Sequence, residues 1–82
     1  MSLPIVADHL KLPAAELFGD RLKQRRLELG MTQAQFADRV GSTAAYVSQV
    51  ERGQANPTLD VMAKFAAVAG MEVWDMLRPS KG

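Results

Sequence analysis

The chain has no cysteine and a single histidine. The first absence excludes a disulfide framework, a thiolate metal site and a cysteine nucleophile. The second leaves His9 with no partner histidine at ligand spacing, so it reads as an ordinary solvated residue, and neither a metal nor a cofactor is expected. No apolar run approaches the roughly 20 residues that a membrane span requires. The N-terminus, MSLPIVADHLKLP, has neither a basic leader nor a long hydrophobic stretch. It is therefore not read as a secretory signal, and a cytoplasmic location is expected. No alternating strand pattern, internal repeat, linker or low-complexity tract occurs.

What remains is 82 residues, 48% of them apolar. That is enough for one small domain with a core, but a domain of this size is only marginally stable alone, and pairing with a second copy would help. The net charge is only +1. Its distribution is less even. Arg21, Lys23, Arg25, Arg26, Arg39 and Arg52 lie against Glu28, Asp38 and Glu51, a local balance of +3. This suits a nucleic-acid partner modestly, and suits a mixed-charge solvated surface as well.

Periodicity divides the chain into about five short helices. Residues 1–13 show no period, and Pro4 and Pro13 break them; they are an arm or a short extra helix. The domain proper is expected over 14–78. From Ala14 to Leu29, Leu17, Phe18, Leu22, the Arg26 stem and Leu29 recur at three- and four-residue spacing, with Gly19 a slight weakness and Gly30 a C-terminal cap. Thr32 caps a second helix, and Gln35 three residues on completes a capping-box pattern. Phe36, Ala37 and Val40 form its inner face, and Gly41 ends it. Ser42 or Thr43 caps a third helix with Tyr46, Val47 and Val50 inward and Gly53 at its end. After the Asn56-Pro57 turn, Thr58 caps a fourth helix that turns Leu59, Met62, Phe65, Ala66 and Ala69 inward and stops at Gly70. Val73 to Leu77 forms a fifth, and Pro79 prevents its extension.

The second and third helices carry the functional signal. Helices crossing at about 90–120° bring their backbones close. Ala37 permits that approach, and Gly41 can take the positive φ of a sharp turn. The outward side of the third helix then holds Ala44, Ala45, Ser48, Gln49 and Arg52, with Thr43 at its leading end. Their spacing of one, three or four makes one stripe about 100° wide. Such a helix fits the DNA major groove, where glutamine can bond adenine and an alanine or threonine methyl can meet the thymine methyl. A plain solvated face is the alternative. Gln33 opens the second helix, where free N–H groups and the positive dipole end favour a phosphate oxygen. Arg21, Arg25 and Arg52 are further phosphate candidates.

The run TQAQFADRVGSTAAYVSQVERG, preceded by GM and followed by NPTLDVMAKFAAVAGMEV, resembles the phage-repressor-like helix-turn-helix family (the Cro/repressor, xenobiotic-response-element type). The resemblance covers roughly Leu17 to Leu77. It implies an all-α, compact five-helix lambda-repressor-like DNA-binding domain whose relatives mostly bind operator DNA as dimers. It implies phosphate clamping by Gln33 and base reading by Thr43, Ala44, Ala45, Ser48 and Gln49. Two departures stand out: Ala44 and Ala45 are apolar where many members carry polar readers, and the loop Gln54 to Thr58 lacks the basic residue some members aim at phosphates. The family pattern also places an internal ion pair at Arg26 and Glu51.

A two-fold dimer doubles the DNA footprint. Met71, Val73, Trp74, Met76 and Leu77 form the candidate surface, with Met71, Trp74 and Met76 as its interface residues. By the family pattern Val73 and Leu77 are core-like, while Trp74 falls at a usually polar place. Trp74 is then a contact anchor, or it covers the domain's own core or the arm. The leading expectation is a sequence-specific transcriptional regulator that occupies an operator as a homodimer. The competing class is a protein-interaction module, such as the antitoxin of a toxin–antitoxin pair, with a protein partner on the arm or the Trp74 surface. An enzyme has little support: Asp8, His9 and Glu16 lie in or beside an irregular arm, and no catalytic residue is assigned.

Overall fold

In the computed structural model the described residues are 13–79. Residues 1–12 of the arm, and with them Asp8 and His9, lie outside them. Five helices follow in order: α1 (Pro13–Glu28), α2 (Gln33–Val40), α3 (Ala44–Glu51), α4 (Leu59–Ala69) and α5 (Val73–Met76). No strand occurs among the described residues. Pro13 is itself the first residue of α1, where its missing N–H costs nothing.

Local chemistry sets the boundaries of the middle helices. Thr32 accepts from Gln35 N at 3.0 Å, and the Gln35 side chain accepts from Thr32 N at 2.8 Å, closing the capping box. Of the two candidate caps of α3, Ser42 and Thr43, it is Thr43 that accepts from Tyr46 N, at 3.1 Å. Thr58 does the same for α4, at 3.2 Å from Val61 N. Gly41 ends α2 at φ +72°, a conformation that L side chains adopt only with strain. Only three residues therefore separate the end of α2 from the start of α3.

The core lies where all five helices meet. Phe18 and Leu22 of α1, Phe36 and Ala37 of α2, Val47 and Val50 of α3, Phe65, Ala66 and Ala69 of α4, and Met76 of α5 are buried. The Phe36 and Phe65 rings meet edge-on with centroids 5.6 Å apart, and Tyr46 stands edge-on to Phe65 at 6.1 Å. The pair α2–α3 is thus anchored to α4 through one aromatic cluster.

Three apolar positions differ from the sequence reading. Leu29 and Leu59, expected inward, are 39% and 72% exposed. Both stand at helix ends, Leu29 just past α1 and Leu59 as the first residue of α4, where the side chain projects beyond the layer that the other helices cover. Met76 departs in the opposite sense. The sequence places it on a dimer surface, but it is fully buried in the domain's own core. The last helix closes the core with this side chain, so Met76 is not an interface residue.

Candidate nucleic-acid interface

α3 is held from behind. Val47, Val50 and Glu51 are buried, and the helix rests against α1 and α2. The approach to α1 is close: a Cβ built on Gly19 would overlap the Val50 carbonyl oxygen and lie 2.9 Å from that of Glu51. Glycine in the middle of α1 therefore has a packing reason. A glycine interrupting an otherwise helical, amphipathic run was the available signal, although propensity alone reads it only as a weakness.

Glu51 is the polar centre of this contact. Its carboxylate meets Arg26 of α1 in a two-pronged pair, Arg26 Nε donating to Oε2 at 2.6 Å and Nη2 to Oε1 at 3.0 Å. Both residues are 6% exposed. Arg26 Nη1 also donates to the Met31 carbonyl at 2.7 Å, and Gln33 Nε2 donates to Glu51 Oε1 at 3.1 Å. One buried guanidinium–carboxylate pair thus joins α1, the loop after it, the start of α2 and the end of α3. No buried side-chain N or O among the described residues lacks a partner, which is the condition for such a pair to be tolerated in a core. The link from Gln33 to Glu51 has no signal in the sequence, because the two residues are 18 apart and neither period nor capping connects them.

The outer side of α3 is free of such ties. Thr43, Ala45, Gln49 and Arg52 are exposed, while Ala44 and Ser48, one turn apart, are half-buried along one edge of the stripe. The Thr43 oxygen already accepts the cap bond, leaving its hydroxyl proton and its methyl group to meet anything outside. Arg52 Nε donates to the Ser48 carbonyl at 3.4 Å, a long bond on an exposed side chain.

The other expected phosphate residues are placed differently from one another. Gln33 is half-buried at the first position of α2. Arg25 is tied within the fold: its Nε donates to the Ala69 carbonyl at 2.8 Å, and its Nη1 pairs with Glu28 at 3.2 Å. It thereby supplies a cation and a donor to the C-terminal end of α4, where carbonyls lack helical partners. Arg21 shares that flank of α1. It lines one recess with Arg25 and Met71, and another with Leu17 and Arg78. Arg25 is thus turned towards the end of α4 and Arg21 lies beside Met71 and Arg78, whereas Gly19 and Arg26 face α3.

On α5, Trp74 is 66% exposed. Met71, Val73 and Leu77 are partly buried and pack against the core. No helix among the described residues is long and apolar enough to cross a membrane.

Known proteins resemble this chain over most of its described length. A family model described as helix-turn-helix matches residues 22–73. The HTH-type transcriptional regulator SinR of Bacillus subtilis is 34% identical over 62 residues, 74% of this chain. The match spans 56% of SinR, little more than half its length. Among solved structures, the restriction-modification controller protein C.AhdI from Aeromonas hydrophila superposes with a TM-score of 0.71 at 34% identity, over 76% of this chain and 94% of that one. Hydroxypropylphosphonic acid epoxidase from S. wedmorenis is also similar, with a TM-score of 0.76 at 28% identity, over 84% of this chain and 37% of the enzyme.

Proposed function

The chain belongs to the phage-repressor-like helix-turn-helix family, and on that premise we propose that it is a transcriptional regulator that binds duplex DNA in the major groove through α3. One observation carries this reading: the stripe of Thr43, Ala45, Gln49 and Arg52 is exposed, while Glu51, the acid on the same helix, is turned inward to Arg26. The groove-facing side therefore bears no carboxylate to repel phosphates. In this reading Gln49 bonds adenine, and Ala45 and the Thr43 methyl meet thymine methyls, with Ala44 and Ser48 at the edge of the contact. Gln33 and Arg52 take the flanking phosphates. Arg21 and Arg25 are left out of this assignment because Arg25 is bonded to the end of α4 and Arg21 lies on the same flank of α1.

We assign the chain no catalysis, and a cytoplasmic location follows from the role. It acts as a homodimer, which sets two reading helices about 34 Å apart on one side of the duplex. The exposed Trp74, with Met71 beside the core, supports that second copy, since a large aromatic left in water is a natural anchor for one. A different protein on the same surface, such as a toxin, is the competing occupant. Sedimentation at micromolar concentration separates them: Trp74→Ala converts dimer to monomer if the surface pairs copies, and unchanged dimer mass removes Trp74 from the interface.

Selection of bound duplexes from a random library tests the whole reading. The expected result is a two-fold symmetric consensus with half-sites about one helical turn apart. Recovery of no enriched sequence, with no salt-dependent binding, rejects it.

A further inference from the structure

Gln33 is tied into the buried ion pair, and that bond determines which way its amide faces. A carboxylate accepts hydrogen bonds and donates none. An amide beside Glu51 must therefore turn its nitrogen inward, as Gln33 does at 3.1 Å from Oε1. Glu51 is in turn immobilised by two bonds from Arg26, which is itself fixed by the Met31 carbonyl. The amide nitrogen carries two hydrogens. One goes to Glu51; the other has no partner among the described residues. It is offered at the first residue of α2, beside backbone N–H groups that the helix leaves unsatisfied.

We propose that Glu51, held by Arg26, is a positioning residue for DNA. It fixes the Gln33 amide so that the second N–H, together with the start of α2, meets a backbone phosphate. The buried pair then serves recognition as well as folding. This inference rests on the DNA-binding reading, and its test is arranged so that the two fail separately.

The test is a thermodynamic cycle on the full chain with a random-sequence duplex, because a phosphate contact does not depend on base sequence. Removing one partner of a buried pair endangers the fold, so the background is the apolar double substitution Arg26→Met with Glu51→Leu, a replacement that small proteins tolerate. In the unaltered protein, Gln33→Ala lowers affinity about tenfold, the worth of one hydrogen bond to a charged group. It leaves the salt dependence unchanged, since glutamine carries no charge. In the apolar background the same substitution costs about twofold or less, because the amide there is no longer oriented. An equal cost in both backgrounds overturns the inference and leaves the DNA reading standing. Failure of the unaltered protein to bind any duplex overturns both.

A second measurement needs no variant and decides the matter even if the double substitution unfolds. In the free protein the expected result is a higher NMR order parameter for the Gln33 side-chain amide than for those of Gln24 and Gln54, which are exposed. An order parameter equal to theirs means Glu51 does not hold the amide, and it overturns the proposal.

Discussion

On its inner side α3 presents Val47, Val50 and Glu51, all buried; on its outer side Ala45, Gln49 and, just past its end, Arg52 are all exposed. The inner residues touch side chains or backbone from α1 and α2, including a glycine with no room for a methyl group. The outer residues hold only a local bond from Arg52 back to Ser48. One eight-residue helix is thus divided between holding the domain together and facing whatever lies outside. Substitutions on the two sides should therefore move different observables: melting for the inner side, DNA affinity for the outer. Only Gln33, through Glu51, is expected to connect them.

The comparison breaks first, and most severely, at Glu51. Glu51→Ala strands the Arg26 guanidinium where Arg26 is 6% exposed, and removes the acceptor for Gln33. The expected cost is on the order of 3–5 kcal/mol. For a domain of this size that lowers the melting temperature by more than about 12 °C. A variant that melts at the wild-type temperature shows that the pair does not hold α3. Gly19→Ala tests the same side through the backbone alone. A methyl group there forces α1 and α3 apart, for about 1–3 kcal/mol, as overpacking does elsewhere. A better helix former would ordinarily stabilise an exposed helix, so a rise in melting temperature would mean the close approach is absent.

What could be read in advance follows the range of the interactions. The threonine caps and the Gly41 turn depend on bonds spanning a few residues, and the sequence carries them plainly. The core of α4 was legible for the same reason, since Phe65, Ala66 and Ala69 repeat at helical spacing. Leu29 and Leu59 were misread because periodicity defines a face but not how far along the axis that face is covered. Met76 was misread because four residues of α5 are too few to show a period. Arg25 carries no mark of its 44-residue link to Ala69, and Gln33 none of its link to Glu51. The exposed stripe itself was readable by subtraction, once Tyr46, Val47 and Val50 had been placed inward.

The outer side supplies the next expected effect. Gln49→Ala leaves melting unchanged, because the side chain is exposed and holds no bond within the domain. On the selected duplex it costs about 1–3 kcal/mol, the discrimination typical of one bidentate base contact, and relaxes preference at a single base pair. Uniform weakening on every sequence would reassign Gln49 to the phosphates. Loss of stability would place it with the inner residues.

The smallest effect separates two arginines that composition treats alike. Arg52 is exposed at the end of α3, whereas Arg25 is fixed on the Ala69 carbonyl at the α4 terminus. If Arg52 neutralises a phosphate, Arg52→Ala reduces the slope of log affinity against log salt by about 1 per subunit and leaves melting unaltered. Arg25→Ala does the reverse: the slope stays, and stability falls by about 1 kcal/mol as the α4 carbonyl loses a charged donor across a partly exposed contact. Arg52 holds only a long local bond to the Ser48 carbonyl, so its charge is the one available to release counterions from DNA. A slope change with Arg25→Ala would show that the Ala69 bond opens on binding, and that the division between inner and outer residues does not extend to α1.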